Sequence, residues 1–273
     1  MVQSAGGLRQ PPLFLSVRPG LRMLFFERII NPTQAPAEKR RATRYVVGSA
    51  FPLKSVLNLV GRDDNGEVLK TGDGEGWDWN GRLVNFSASG VSIQLPPATA
   101  ARRGDRCTLI LSLVNYQLSI PCHVAHVRSL KDSIVFGLKF EFGAGTPPPD
   151  YQQLLELVAF GASLKPEKDG AKTADGSGYL VEHYRGDFGS HLTVWRAASG
   201  GQVQWFEFQL AEFFVRGGTA TPKLEFAAGQ KRNVKPVSPD QVEQIHQLFR
   251  WVVPNIARSV PEDVRHSLQH FAA

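Results

Sequence analysis

The chain has 273 residues, of which 42% are hydrophobic, the composition of a soluble globular protein long enough for two ordinary domains. No apolar run approaches the roughly 20 residues that cross a bilayer, so no transmembrane segment is expected. The net charge of +6 is confined to residues 1–44, where eight Lys/Arg face only Glu27 and Glu38. A nucleic-acid-binding face would spread its cations over a folded surface. A cationic arm on neutral folded parts points instead to a small anionic ligand.

Residues 1–37 contain Pro11, Pro12, Pro19, Pro32 and Pro36 and read as an N-terminal arm. Within it the start is too broken by proline and arginine for a secretory signal, so a cytoplasmic protein is expected. Met23 opens "MLFFERIINP" and is a second candidate start. "LRMLFFERII", residues 21–30, is the arm's one periodic piece.

From Tyr45 to Phe142 short alternating runs are separated by turn residues: "YVVGSAFPLKSVLNLV", "WDWNGRLVNFS", "GVSIQL", "DRCTLILSLV", "LSIPCHVAHV" and "SIVFGLKFEF". In the last, Ile134, Phe136, Leu138 and Phe140 share one face. About six strands with hairpin-length connections suggest a small antiparallel β-barrel, because closure removes exposed edges. A long Gly-rich connection, residues 61–80, either forms an extra hairpin beside the motif residues or decorates the barrel. After "TPPPD" the period changes: Tyr151, Leu154, Leu155 and Val158 predict a helix that closes the barrel, with Gly161 as its stop.

Residues 165–178 are charged and Gly-rich and read as a linker between the barrel domain, residues 38–164, and a C-terminal α+β domain, residues 179–273. That second domain is expected as an antiparallel meander, "HLTVWRA", "QVQWFEFQL", "EFFVRG" and "KLEFAA", covered by two helices. Ser238, Pro239 and Gln241 open the first helix, with Val242, Ile245, Leu248, Phe249 and Val252 as its stripe. The second starts near Pro261, with Val264, Leu268 and Phe271 inward.

Function rests on two short motifs. "KRRATRY", residues 39–45, sets four cations just before a strand, and "NFSASG", residues 85–90, falls where a strand must reverse. Asn, Ser and Gly suit a turn for local reasons, so the second motif carries little alone. Together, Arg40-x-x-x-Arg44 followed by Asn85-x-Ser87-x-x-Gly90, four further strands and a helix resemble the PilZ domain family over residues 38–164. That resemblance implies a mainly β fold: a six-stranded antiparallel barrel with a closing helix, binding cyclic di-GMP.

It also implies the site residues. Arg40 and Arg44 would grip phosphate and guanine edge, with Arg41 adding field or stacking contacts, since a guanidinium fork suits all three interactions. Asn85 would accept from guanine N–H groups, Ser87 would offer a hydroxyl, and Gly90 would allow the turn and a close ligand approach. Ordering of the arm by bound phosphate would then reposition it relative to the C-terminal domain and change the interdomain arrangement, relaying the signal to a protein partner expected at that domain. The alternative is a PilZ-like scaffold that works without nucleotide.

Other signals are weaker. "GDGEG" lacks the P-loop lysine, the acidic residues Asp73, Glu75 and Asp78 miss EF-hand spacing, and the histidines form no triad, so neither an enzyme nor a metal protein is expected. A catalytic C-terminal domain is the last-ranked reading. Cys107 and Cys122 lack zinc-site context; on neighbouring strands they would sit diagonally on one face, and reduced thiols are expected. Trp195, Trp205, Phe206, Phe208, Phe213 and Phe214 read as core, and any left exposed would mark a docking surface.

Overall fold

The computed structural model describes residues 43–59, 70–71, 74–114, 116–143, 147–167, 173–174, 178–199, 201–230 and 233–273. The expected arm, together with Lys39, Arg40 and Arg41, lies outside the described residues.

Period-two alternation builds the first sheet. It comprises β1 (Arg44–Val46), β2 (Lys54–Leu59), β5 (Trp77–Ser87), β6 (Gly90–Leu95), β7 (Arg106–Leu113), β8 (Tyr116–Ser129) and β9 (Ile134–Phe140). Between β2 and β5, β3 (Lys70–Thr71) and β4 (Gly74–Glu75) pair with each other as a small two-stranded hairpin within the 61–80 connection. The strands run antiparallel in the order β5-β2-β7-β8-β9-β6, and β6 pairs back onto β5 to close a six-stranded barrel, with β1 as an extra strand along the far end of β5.

Inward positions are apolar. Cys107, Leu109, Leu111 and Leu113 alternate with more exposed neighbours on β7, and Phe136, Leu138 and Phe140 face inward on β9, where Val135 and Gly137 beside them are buried as well. Burying each such side chain is worth roughly 1.5–3 kcal/mol. Cys107 and Cys122 stand directly opposite each other, not diagonally, as free thiols with sulfurs 3.5 Å apart.

The helix α1 (Pro149–Ala162) follows, with Tyr151, Leu154, Leu155 and Val158 all buried. The Tyr151 ring lies 5.0 Å from both Phe86 and Phe140 and 5.3 Å from Phe142, so the helix seals the barrel through an aromatic wedge. Gly161, expected as the stop, lies within the last turn. Its role is close packing: a Cβ there would come 2.9 Å from Val252 O and 3.0 Å from Asn255 O.

A second antiparallel sheet follows. It contains β10 (Lys165–Pro166), β11 (Thr173–Ala174), β12 (Tyr179–Arg185), β13 (His191–Ala197), β14 (Val203–Leu210), β15 (Phe213–Gly218), β16 (Thr221–Gln230) and β17 (Asn233–Pro236). Both β10 and β11, within the stretch read as a linker, pair with β12. The helices α2 (Pro239–Val252) and α3 (Glu262–Ala272) cover one face of this sheet, joined by a 3-10 turn, Val253–Asn255. Ser238 and Gln241 form the expected capping box. Phe249 and Phe271 approach Phe206 at 5.9 and 5.3 Å between ring centres.

Hydrogen bonds and one continuous apolar cluster join the barrel to the second sheet. Asn255 accepts from the Gly48 N–H at 2.7 Å and donates to Val158 O at 2.9 Å, tying the segment after β1 to α1. The Tyr45 hydroxyl donates to Asp187 Oδ2 at 2.7 Å, and the Asp187 N–H donates to Ser163 Oγ at 2.8 Å.

Candidate functional site

The motif residues meet on the outside of the barrel because of one irregularity in β5. Leu83 pairs with Ile93, whereas the next paired residue, Asn85, faces Ser92; Val84 is the extra residue of a β-bulge. A bulge shifts every later side chain to the opposite face. Phe86 therefore turns into the core, and Asn85 and Ser87 turn outward beside β1.

Register then fixes who meets whom. Arg44 lies directly opposite Ser87, and Val46 lies opposite Asn85, while Tyr45 between them packs inward against the barrel. Arg44 is exposed. The row continues from Ser87 to Gly90 on β6, Lys139 on β9 and His123 on β8. Two exposed cations, Arg44 and Lys139, thus bracket the turn and favour an anion there.

The turn itself is held from both sides. Ser87 Oγ donates to Gly90 O at 2.8 Å, and the Tyr151 hydroxyl donates to Ser87 O at 2.6 Å. Ser87 is only 2% exposed, so its hydroxyl proton stays within the turn and its oxygen keeps acceptor capacity. Gly90 has a steric reason of its own: a Cβ there would lie 2.1 Å from Leu138 O, so glycine lets β6 and β9 pair. Asn85 Oδ1 is buried and has no hydrogen-bond partner among the described residues. A buried acceptor left in that condition is costly, and an N–H donor arriving there would recover the loss.

Of the expected site residues, Arg44, Asn85, Ser87 and Gly90 come together on one outer face, and Arg40 and Arg41 lie outside the described residues. Reading the sequence missed Tyr45, Lys139 and Tyr151. Tyr45 and Tyr151 read simply as apolar pattern, and Lys139 as one outward residue of a strand. Only register brings them to the motif. Among the described residues no group of three or more His, Cys, Asp or Glu could hold a metal ion, and no helix is long and apolar enough to cross a membrane.

The motif residues thus lie on a closed six-stranded barrel with a helix packed against it, at a bulge-aimed polar turn flanked by Arg44 and Lys139. Residues 38–160 match the family model for the PilZ domain, so the chain carries a PilZ domain over that segment. Solved structures similar to the chain include the PilZ domain with c-di-GMP of YcgR from Escherichia coli, 14% identical with a TM-score of 0.29, covering 43% of this chain and 87% of that one. YcgR in complex with c-di-GMP from Escherichia coli is 12% identical with a TM-score of 0.30, covering 44% and 45%. The Borreliella burgdorferi PlzA protein in complex with c-di-GMP is 12% identical with a TM-score of 0.29, covering 76% and 94%. No curated protein matches the chain.

Proposed function

We propose that the chain is a cyclic di-GMP receptor whose site comprises Arg40, Arg41, Arg44, Asn85, Ser87 and Gly90. One observation carries this reading: Arg44 stands opposite Ser87, next to a buried Asn85 Oδ1 that has no hydrogen-bond partner among the described residues, on a single face of a PilZ barrel. Guanine offers ring and exocyclic N–H donors to Asn85 Oδ1 and an O6/N7 edge to an arginine fork. The phosphates meet guanidinium groups by charge-assisted hydrogen bonds. Ser87 contributes as an acceptor, its proton being engaged at Gly90 O.

The signal then travels through Tyr45. Arg44 and Tyr45 are consecutive, one facing the ligand and the other donating to Asp187 in the β12–β13 connection of the second sheet. In this reading residues 38–164 form the sensing unit and residues 179–273 the responding unit, joined by residues 165–178. Nucleotide that orders the arm pulls on β1, and β1 moves Asp187 and, through Gly48, Asn255. The responding unit presents the outcome to a protein partner.

Titration calorimetry of the full chain with cyclic di-GMP tests the receptor. Saturable binding is expected, weakened roughly 10- to 100-fold in Arg44→Ala, the worth of charge-assisted hydrogen bonds. An unmodified chain that releases no heat and shows no binding by a second method overturns it. Tyr45→Phe is expected to bind normally yet lose ligand-dependent slowing of hydrogen exchange around Asp187, which separates the relay from the site.

A further inference from the structure

The second sheet has one face under α2 and α3, and its other face carries a row of aromatic and charged side chains. Counting along the registers, Trp195 on β13 pairs with Trp205 on β14, and Trp205 pairs with Gly218 on β15. The next row holds Glu207, Arg216 and Glu225 on β14, β15 and β16. These residues point away from the helices, because their neighbours Val194, Phe206 and Phe208 fill the core.

Two tryptophans side by side on a face that no helix of the described residues covers depart from the core reading that their sequence context supports. Both are half-buried, whereas Phe206, Phe208, Phe213 and Phe214 are core as expected. Gly218 makes room for one of them. A Cβ at that position would lie 2.6 Å from the Trp205 ring, so the indole lies across β15 where any other residue would lift it. Tyr179, Trp195 and Trp205 line a cavity of about 400 Å³ with Glu207, Arg216 and Glu225 at its polar side. That volume is within the range of small-ligand sites.

The polar side selects the ligand class. Arg216 Nε donates to Glu207 Oε2 at 2.6 Å, and Glu225 stands on the other side of Arg216 across the strand pair. A cationic ligand would gain the aromatic faces but meet the Arg216 guanidinium. An anionic ligand would meet two carboxylates. A neutral ring carrying hydroxyl groups suits both parts: its C–H face covers indole, and adjacent hydroxyls donate to carboxylate and accept from guanidinium.

We infer that the face of the second sheet opposite α2 and α3 binds a neutral saccharide ring, stacked on Trp195 and Trp205 and hydrogen-bonded by Glu207, Arg216 and Glu225. This site goes beyond the nucleotide reading and does not depend on it. It would let a barrel that senses one ligand be tethered to a glycan through its neighbouring sheet.

The probes are cellopentaose and chitopentaose, titrated into the full chain and followed by the indole N–H resonances and by calorimetry. At least one is expected to shift the Trp195 and Trp205 indole signals saturably. Trp205→Ala and Glu207→Gln should each weaken that binding by about ten-fold or more, and Arg44→Ala should leave it unchanged. Should Trp205→Ala fail to fold, the exposed Glu225→Gln and the milder Trp205→Phe replace it. Absence of binding by both sugars overturns the inference, as does binding that all these variants leave intact. Saturable shifts of the same indoles by a proline-rich decapeptide or tetramethylammonium, with none by either sugar, would also overturn it and reassign the cavity.

Discussion

Asn85 in the barrel and Arg196 in the second sheet are both polar residues drawn out of solvent, and they are treated in opposite ways. Arg196, 5% exposed, lies between two carboxylates: its Nε is 3.1 Å from Glu182 Oε1, though too bent for a hydrogen bond, and its NH1 and NH2 donate to Asp263. Glu182 in turn accepts from the Tyr184 hydroxyl at 2.9 Å. Asn85 Oδ1, by contrast, has no partner among the described residues. A buried charge provided with counter-charges holds structure, whereas a buried acceptor without a donor among the described residues keeps its capacity to accept one.

The sharpest way to break this comparison is to mutate both. Arg196→Met should cost about 3–5 kcal/mol in denaturant unfolding, because Glu182 is left buried without its cation, yet folded protein should bind cyclic di-GMP normally. Asn85→Ala should do the reverse. Removing an acceptor that has no partner leaves stability within about 1 kcal/mol, and nucleotide affinity should fall roughly ten-fold or more.

A smaller effect concerns the contact between the two sheets. Glu156 on α1 has its carboxyl pushed up from 4.5 to about 7, first by burial and then by repulsion from Glu212 at the β14–β15 turn. The folded protein therefore holds this proton more tightly than the unfolded chain. The stabilisation is complete below pH 4.5 and is lost as pH rises through about 7. Glu156→Gln should flatten that part of the stability–pH curve and raise stability above neutrality by about 1 kcal/mol, a modest figure because the group is partly solvated.

The two regions also differ in how much their sequences disclose. Barrel strands announced themselves by alternation, α1 by Tyr151, Leu154, Leu155 and Val158, and α2 by its Ser238–Gln241 box. Arg44 and the Asn85–Gly90 turn were legible because a short motif keeps its residues close in sequence. The bulge at Val84 was not, since nothing in "RLVNFS" distinguishes an extra residue from ordinary alternation, yet it decides which way Asn85 faces. The Trp195–Trp205 pair was read as core, because strand aromatics usually are, and only the register of β13 on β14 sets both rings on the open face. Likewise the bonds from Tyr45 to Asp187 and from Gly48 to Asn255 join residues far apart in the chain, beyond the reach of local pattern.

The most direct test is a map of backbone-amide and indole resonances of the full chain on adding cyclic di-GMP. Shifts centred on Arg44, Asn85, Ser87 and Lys139, with the Trp195 and Trp205 indoles unmoved, are what this account predicts. Nucleotide that shifts those indoles while leaving the β1–β5 face undisturbed would contradict it.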